Sequence, residues 1–249
     1  MHRATIILIA ILFIFPLTSC SQKETNHFDK QKVADVVIAE LESNFDYTFK
    51  VNHIEYDPLR HTYMIDASIT EKPDMSFSSD ITDRELEESD VSKINGYVVD
   101  MFYQEELEGE VEKAVRKALP NYQVAKSSYL TPPEIHLEDK KFIHMSFSNF
   151  TRQYQDEVFY TFYLLSNEDF SQDYFENNQQ ALRALFSELK NEHYKLVKFT
   201  IVFPNDTYIE TERLHIEDLE KQSLHEQFAI KKDPSIPGFD YKKWKQNLQ

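Results

Sequence analysis

The sequence predicts an α+β protein: two helix-on-antiparallel-sheet subdomains placed behind a signal peptide. Three observations lead there. Segments with apolar residues at helical spacing are followed by runs that alternate with period two. Proline, asparagine and aspartate punctuate those runs as turn residues do. A stiff Thr131-Pro132-Pro133-Glu134 stretch then separates two such sets. The 249-residue chain leaves about 230 residues once a leader is set aside, room for one large domain or two small ones.

The front of the chain comes first. His2 and Arg3 give a short polar start, and the run from Ala4 to Ser19 carries no charge. That order of parts is a secretory signal peptide. The run is shorter than the ~20 residues that span a bilayer as a helix. Its end, Leu17-Thr18-Ser19-Cys20, resembles the lipobox of bacterial lipoproteins. The resemblance implies cleavage between Ser19 and Cys20, with Cys20 as the lipid-attachment residue and first mature residue. The chemistry suits a thiolate, a good nucleophile near neutral pH. An ordinary signal peptide cut elsewhere would instead leave Cys20 a stray thiol. Two or three acyl chains anchor firmly, each buried methylene adding ~0.8 kcal/mol. The boundaries so expected are 1–19 signal peptide, 20–27 tether, 28–130 first subdomain, 135–230 second subdomain and 231–249 basic tail.

In the first subdomain, Asp29 caps a helix whose Val33, Val36, Val37 and Leu41 share one face, ending near Asn44. Tyr47 to Tyr56 reads as a strand whose alternation slips by one, predicting a bulge at Asn52-His53. Asp57-Pro58-Leu59-Arg60 is a turn, and Tyr63, Ile65, Ala67 and Ile69 alternate cleanly against polar neighbours. Lys72-Pro73-Asp74 reads as the next turn, leading to a strand from Met75 to Ile81. A long helix is expected after Ser89 or Asp90, striped by Ile94, Val98, Met101, Phe102, Leu107, Val111 and Val115. Gly109 is a point where it can split, and Pro120 ends it. Tyr122 to Ala125 returns as a short strand. This start resembles the helix-then-meander opening of uncharacterised Gram-positive lipoproteins, through Tyr56-Asp57-Pro58 to Tyr63.

In the second subdomain, Phe142 to Phe150 alternates, with Ile143, Met145 and Phe147 inward, and is expected as a strand. Val158 to Leu165 is apolar on both parities, as a central strand is. A helix over 177–191 follows, then a strand on Val197, Phe199, Ile201 and Phe203. Pro204-Asn205-Asp206 turns that strand into one over 207–216, and 217–228 reads as helical. Five lysines (231, 232, 242, 243 and 245) surround Trp244 in the tail. Such a tail can fold back on its own domain, touch anionic headgroups or stay frayed, expected in that order.

Composition narrows the function. The net charge is −16, which disfavours nucleic acid by repulsion and suits a basic protein partner, though most proteins this acidic are merely soluble. Cys20 is the only cysteine, so no intrachain disulfide forms. There are three glycines where a usual ~7% would give about seventeen, which counts against phosphate loops and nucleophile elbows. No HExxH, GxSxG or cysteine pair occurs, and the acidic run from Asp80 to Glu112 lacks the loop order of a calcium site. His136, Glu138 and Asp139 lie close in sequence but have no second histidine at helical spacing; His53 and His144 read as packed or surface residues. The expectation is a non-enzymatic lipoprotein outside the cytoplasm, held to the cell membrane or outer membrane by lipid. It needs no cofactor, metal or nucleic acid, and it binds a protein or envelope component, an immunity-like role being one version. The alternative is an envelope hydrolase or metal-dependent enzyme whose residues meet only in the fold.

Overall fold

The computed structural model describes residues 28–248. The expected signal peptide, the Ser19–Cys20 junction and the 20–27 tether lie outside the described residues.

Helix α1 (Lys30–Asn44) starts where the Asp29 carboxylate accepts from Gln31 N at 2.9 Å, and it buries Val33, Val37 and Leu41. Strands β1 (Phe49–Asp57), β2 (Thr62–Ile69) and β3 (Lys72–Thr82) follow as an antiparallel meander. The pairing of β1 with β2 slips between Val51 and His53, at the bulge the alternation predicts. Lys72-Pro73-Asp74 is not a turn. The chain reverses at Thr70-Glu71, and Pro73 sits in a register irregularity of β3, an edge strand where its missing N–H costs little.

A short helix α2 (Asp83–Glu88) then forms, because Thr82 and Glu85 make a reciprocal capping box. Ser89 is its left-handed C-cap and Ser92 the N-cap of the next helix, so neither Ser89 nor Asp90 starts the long helix as expected. That helix, α3 (Lys93–Ala118), runs 26 residues without a break at Gly109. It is the spine of the molecule, packing on β3 and α1 and also on the second sheet.

The second sheet is mixed, with strand β4 (Tyr122–Leu130) at one edge. Next in it is β5 (Phe159–Ser166), antiparallel to β4. Helix α6 (Tyr174–Asn191) then crosses over to β6 (Leu196–Val202), which runs parallel to β5. Strand β7 (Thr207–Thr211) and the two-residue β8 (Leu214–His215) both pair antiparallel with β6. Two short helices, α7 (Ile216–Lys221) and α8 (Leu224–Gln227), lead to β9 (Phe228–Lys232) on the far edge.

Two expectations fail here. First, β4 extends to Leu130 and pairs with β5, so the proline-rich 131–134 segment joins two strands of one sheet. One continuous core unites both sheets, from Val33 through Val111 to Phe199. Second, Phe142 to Phe150 is not a strand. It forms α4 (Lys140–Ile143) and α5 (Phe147–Gln153), the second started by Ser146 Oγ accepting from Asn149 N. Phe147, Phe150, Thr151 and Tyr154 fall at helical spacing, and this face packs against Tyr103 and Tyr129. The alternation of Ile143, Met145 and Phe147 spans two helix ends and a bend.

The tail folds back. Helix α9 (Tyr241–Gln246) places Trp244 with Ile236 against Leu165 and Val202, on the sheet face opposite α3. Lys245 donates to both Asp206 oxygens at 2.8 Å, and its ammonium draws the Asp206 carboxyl below the usual range.

Candidate functional site

The candidate site is a cleft of about 680 Å³ where the end of α1 meets the middle of α3 and the 142–146 bend. Each wall has a local cause. The last turn of α1 closes with Phe45 N donating to Leu41 O at 2.9 Å, which turns the chain out toward Tyr47. Glu42 then accepts from Phe49 N at 3.2 Å and holds the α1–β1 connection in place. On the other side, Tyr103 of α3 donates to Met145 O at 3.0 Å, pinning the bend against the long helix. The cleft lies between a helix end whose Phe45 packs on Phe102 of α3 and a bend pinned to the same helix by Tyr103.

Its floor is buried and apolar: Phe45, Val99, Tyr103 and Phe142. One wall is aromatic. The Phe102 ring lies 5.3 Å from Tyr47 and 6.2 Å from Phe45, and Tyr47 is 37% exposed. The mouth is acidic, carrying Glu42, Asp46 and Glu106, with His144 as the basic side chain of the lining. None of these three carboxylates makes an ion pair among the described residues. Desolvation by the walls, and then the neighbouring Glu105 carboxylate, hold the Glu106 carboxyl above its ordinary value. Burial, with the charge of Glu106 adding to it, also pushes the Tyr103 hydroxyl up, so Tyr103 is a neutral donor at any ordinary pH. At the rim, the Lys72 ammonium stands 6.0 Å from the Tyr47 ring centre and 3.8 Å from Glu105.

A second concavity, of about 460 Å³, lies along the tail between Asp206, Asp233, Tyr241 and Lys245. Its Asp206 and Lys245 charges satisfy each other. The acidic mouth of the first cleft has no such internal ion pair, and a site whose charges are left open is the better candidate for a ligand.

No protein-family model matches the sequence, and no curated protein matches it. Among solved structures, the chain is similar to the crystal structure of a DUF5037 family protein from Ruminococcus gnavus ATCC 29149. Identity is 12%, the TM-score is 0.43, and the likeness covers 69% of this chain and 74% of that one.

The residues singled out from sequence fall as follows. Ser19 and Cys20 lie outside the described residues. His136 stands 3.5 Å from Glu138 on the surface, and Asp139 is the N-cap position of α4. Among the described residues no three His, Cys, Asp or Glu side chains are grouped to hold a metal ion, and no helix is long and apolar enough to cross a membrane. His53 is exposed on the β1 bulge, while His144 lines the cleft. Sequence reading missed Tyr47, Glu42, Asp46 and Glu106 as a group. One signal was there: Glu106 follows Phe102 by four positions and Tyr103 by three, so it is a carboxylate set on the apolar stripe of α3.

Proposed function

We propose that this protein is a lipid-tethered binding module, attached outside the cytoplasm through Cys20 and engaging an envelope or protein partner with the α1–α3 cleft. The observation that carries the binding half is the composition of that cleft: an exposed Tyr47–Phe102 wall beside carboxylates that have no ion-pair partner among the described residues. Rigid aromatic surface contributes contact area at low entropic cost, and unpaired charge gives a partner direction. The anchoring half is supported by residues 4–20, where a leader-like run ends in the lone cysteine.

The test has two arms. Metabolic labelling with a lipid precursor is expected to mark the wild type and not Cys20→Ala; equal labelling removes the anchor. A photo-crosslinking residue at position 47 is expected to give a discrete adduct in intact cells, whereas one at the exposed Leu59 on the β1–β2 turn is not. The same pattern from both positions removes the cleft. A second reading, an envelope hydrolase, is favoured by one feature: Glu106, with its raised carboxyl, and His144 line the same cleft. It requires that Glu106→Gln abolish turnover of an envelope substrate while leaving the position-47 adduct intact.

A further inference from the structure

We infer that the cleft is selective for a cationic side chain, and that its occupant is a lysine- or arginine-bearing segment of a protein partner. This rests on the cleft being the binding site and names what it takes. Three independent features point to a cation. The mouth carries Glu42, Asp46 and Glu106, while neither lysine nor arginine lines the cleft. The Tyr47 and Phe102 rings, 5.3 Å apart at 33°, present aromatic faces beside those carboxylates, and a ring face attracts an ammonium or guanidinium through its quadrupole. Most telling, the protein already places one of its own ammonium groups at the rim, with Lys72 held between the Tyr47 ring and Glu105. The chemistry that holds Lys72 outside is repeated inside, without a lysine or arginine of the protein's own.

The length of the occupant follows from the depth. The apolar floor of Phe45, Val99, Tyr103 and Phe142 has no polar group to meet a charge except the Tyr103 hydroxyl, which already donates to Met145 O. A small bare cation therefore gains only at the mouth. A lysine or arginine fits both levels, because its methylene stem can lie on the floor and walls while its head stays among the carboxylates. The same feature separates a peptide from a free polyamine, whose methylene stretches carry a charge at both ends, so that laying one along the cleft presses a charge onto the apolar floor.

The test titrates the full-length protein, held in non-ionic detergent, with tetralysine, tetraarginine, tetraglutamate and spermidine, and follows binding by calorimetry. Tetralysine and tetraarginine are expected to bind, tetraglutamate not at all, and spermidine several-fold more weakly. Tyr47→Ala and Glu106→Gln are each expected to weaken the basic peptides about two- to fivefold. Because the chain is acidic throughout, Asp66→Asn on the bare face of β2 is the charge control, and it is expected to leave the affinity within a factor of about 1.5. If Asp66→Asn weakens binding as much as Glu106→Gln does, the effect is net charge and the inference is overturned. It is equally overturned if Tyr47→Ala binds like wild type, or if spermidine competes as well as tetralysine. Should the basic peptides fail while the position-47 adduct persists in cells, the cation class is wrong and the cleft still stands as a binding site.

Discussion

The two sheets share one long helix, yet their outer faces are built on opposite terms. In the three-stranded sheet the central strand β2 turns Tyr63, Ile65 and Ala67 toward the helices and leaves Met64 and Asp66 in water. In the mixed sheet the interior strand β5 buries Tyr160, Phe162 and Leu164 under α3, and its other face is also apolar, with Leu165 1% exposed beneath the tail. Water is an adequate cover for the first and not for the second. A strand apolar on both parities therefore announces a second covering element, and here that element is the segment that carries Ile236 and Trp244.

The difference is sharpest in alkali. Tyr122, Tyr129, Tyr160, Tyr174 and Tyr194 crowd the mixed-sheet side, and burial is the largest cause raising each hydroxyl. On the three-stranded side Tyr63 is raised the same way and Tyr56 is pushed up to about 12. The folded state thus holds phenol protons that the unfolded chain releases near pH ~10. Stability from these groups is fully present below that value and is lost as pH rises above it. The phenolate absorbance of these buried tyrosines is expected to appear in one step with the loss of circular dichroism. Smooth titration of these same tyrosines with the fold intact would refute it. Tyr160→Phe sharpens the point, because its hydroxyl is buried with no partner among the described residues. The substitution removes a buried ionisable group at no hydrogen-bond cost and is expected to move the alkaline midpoint upward.

Next in size is the direct comparison of the two outer faces. Leu165→Ala on β5 is expected to cost about 2–5 kcal/mol, since it opens a void under Trp244. Met64→Ala at the equivalent place on β2 is expected to stay within about 0.5 kcal/mol, as Met64 is 43% exposed. Trp244→Ala is expected to match Leu165→Ala, and the double variant to cost less than the sum because the two share one contact. Equal, small costs from chemical denaturation for Leu165→Ala and Met64→Ala would mean that the tail does not cover the sheet.

Much of the fold is legible in the amino-acid sequence. Helix α1, its Asp29 cap, the β1 bulge and the alternation of β2 follow from local periodicity, because each depends on neighbours within a few residues. The α+β class follows from the same signals. What is not legible depends on distant partners. Nothing local says that β4 crosses the Pro132-Pro133 stretch to pair with β5, or that β6 runs parallel to it. The 142–150 segment misleads because residues of a bend and of two helix ends fall by chance on alternate positions, while its Ser146 cap and the 147–150–154 spacing point to helix. The cleft is invisible for a similar reason: Tyr47 and Phe102 are 55 residues apart, and only the turn after α1 brings them together.

The smallest effect tests the helix that both sheets share. Gly96 and Gly109 lie in the same α3, and helix propensity alone says alanine should gain about 1 kcal/mol at each. Their surroundings differ. A Cβ at Gly109 meets nothing within 4 Å, so Gly109→Ala is expected to stabilise the protein by nearly that whole amount. A Cβ at Gly96 would stand 3.0 Å from the backbone nitrogen of Glu138, on the loop that carries the chain from β4 toward α4. Backbone held by Ile135 and Phe142, both buried in the shared core, does not give way as a side-chain tip does. Overpacking there costs about 1–3 kcal/mol, which outweighs the propensity gain, so Gly96→Ala is expected to be neutral or destabilising by up to about 2 kcal/mol. Opposite signs in paired thermal melts would fix the 135–139 loop tightly on α3, at the end of the helix nearest the three-stranded sheet. A gain at both positions would free that loop, and the two sheets would then be coupled through the helix alone.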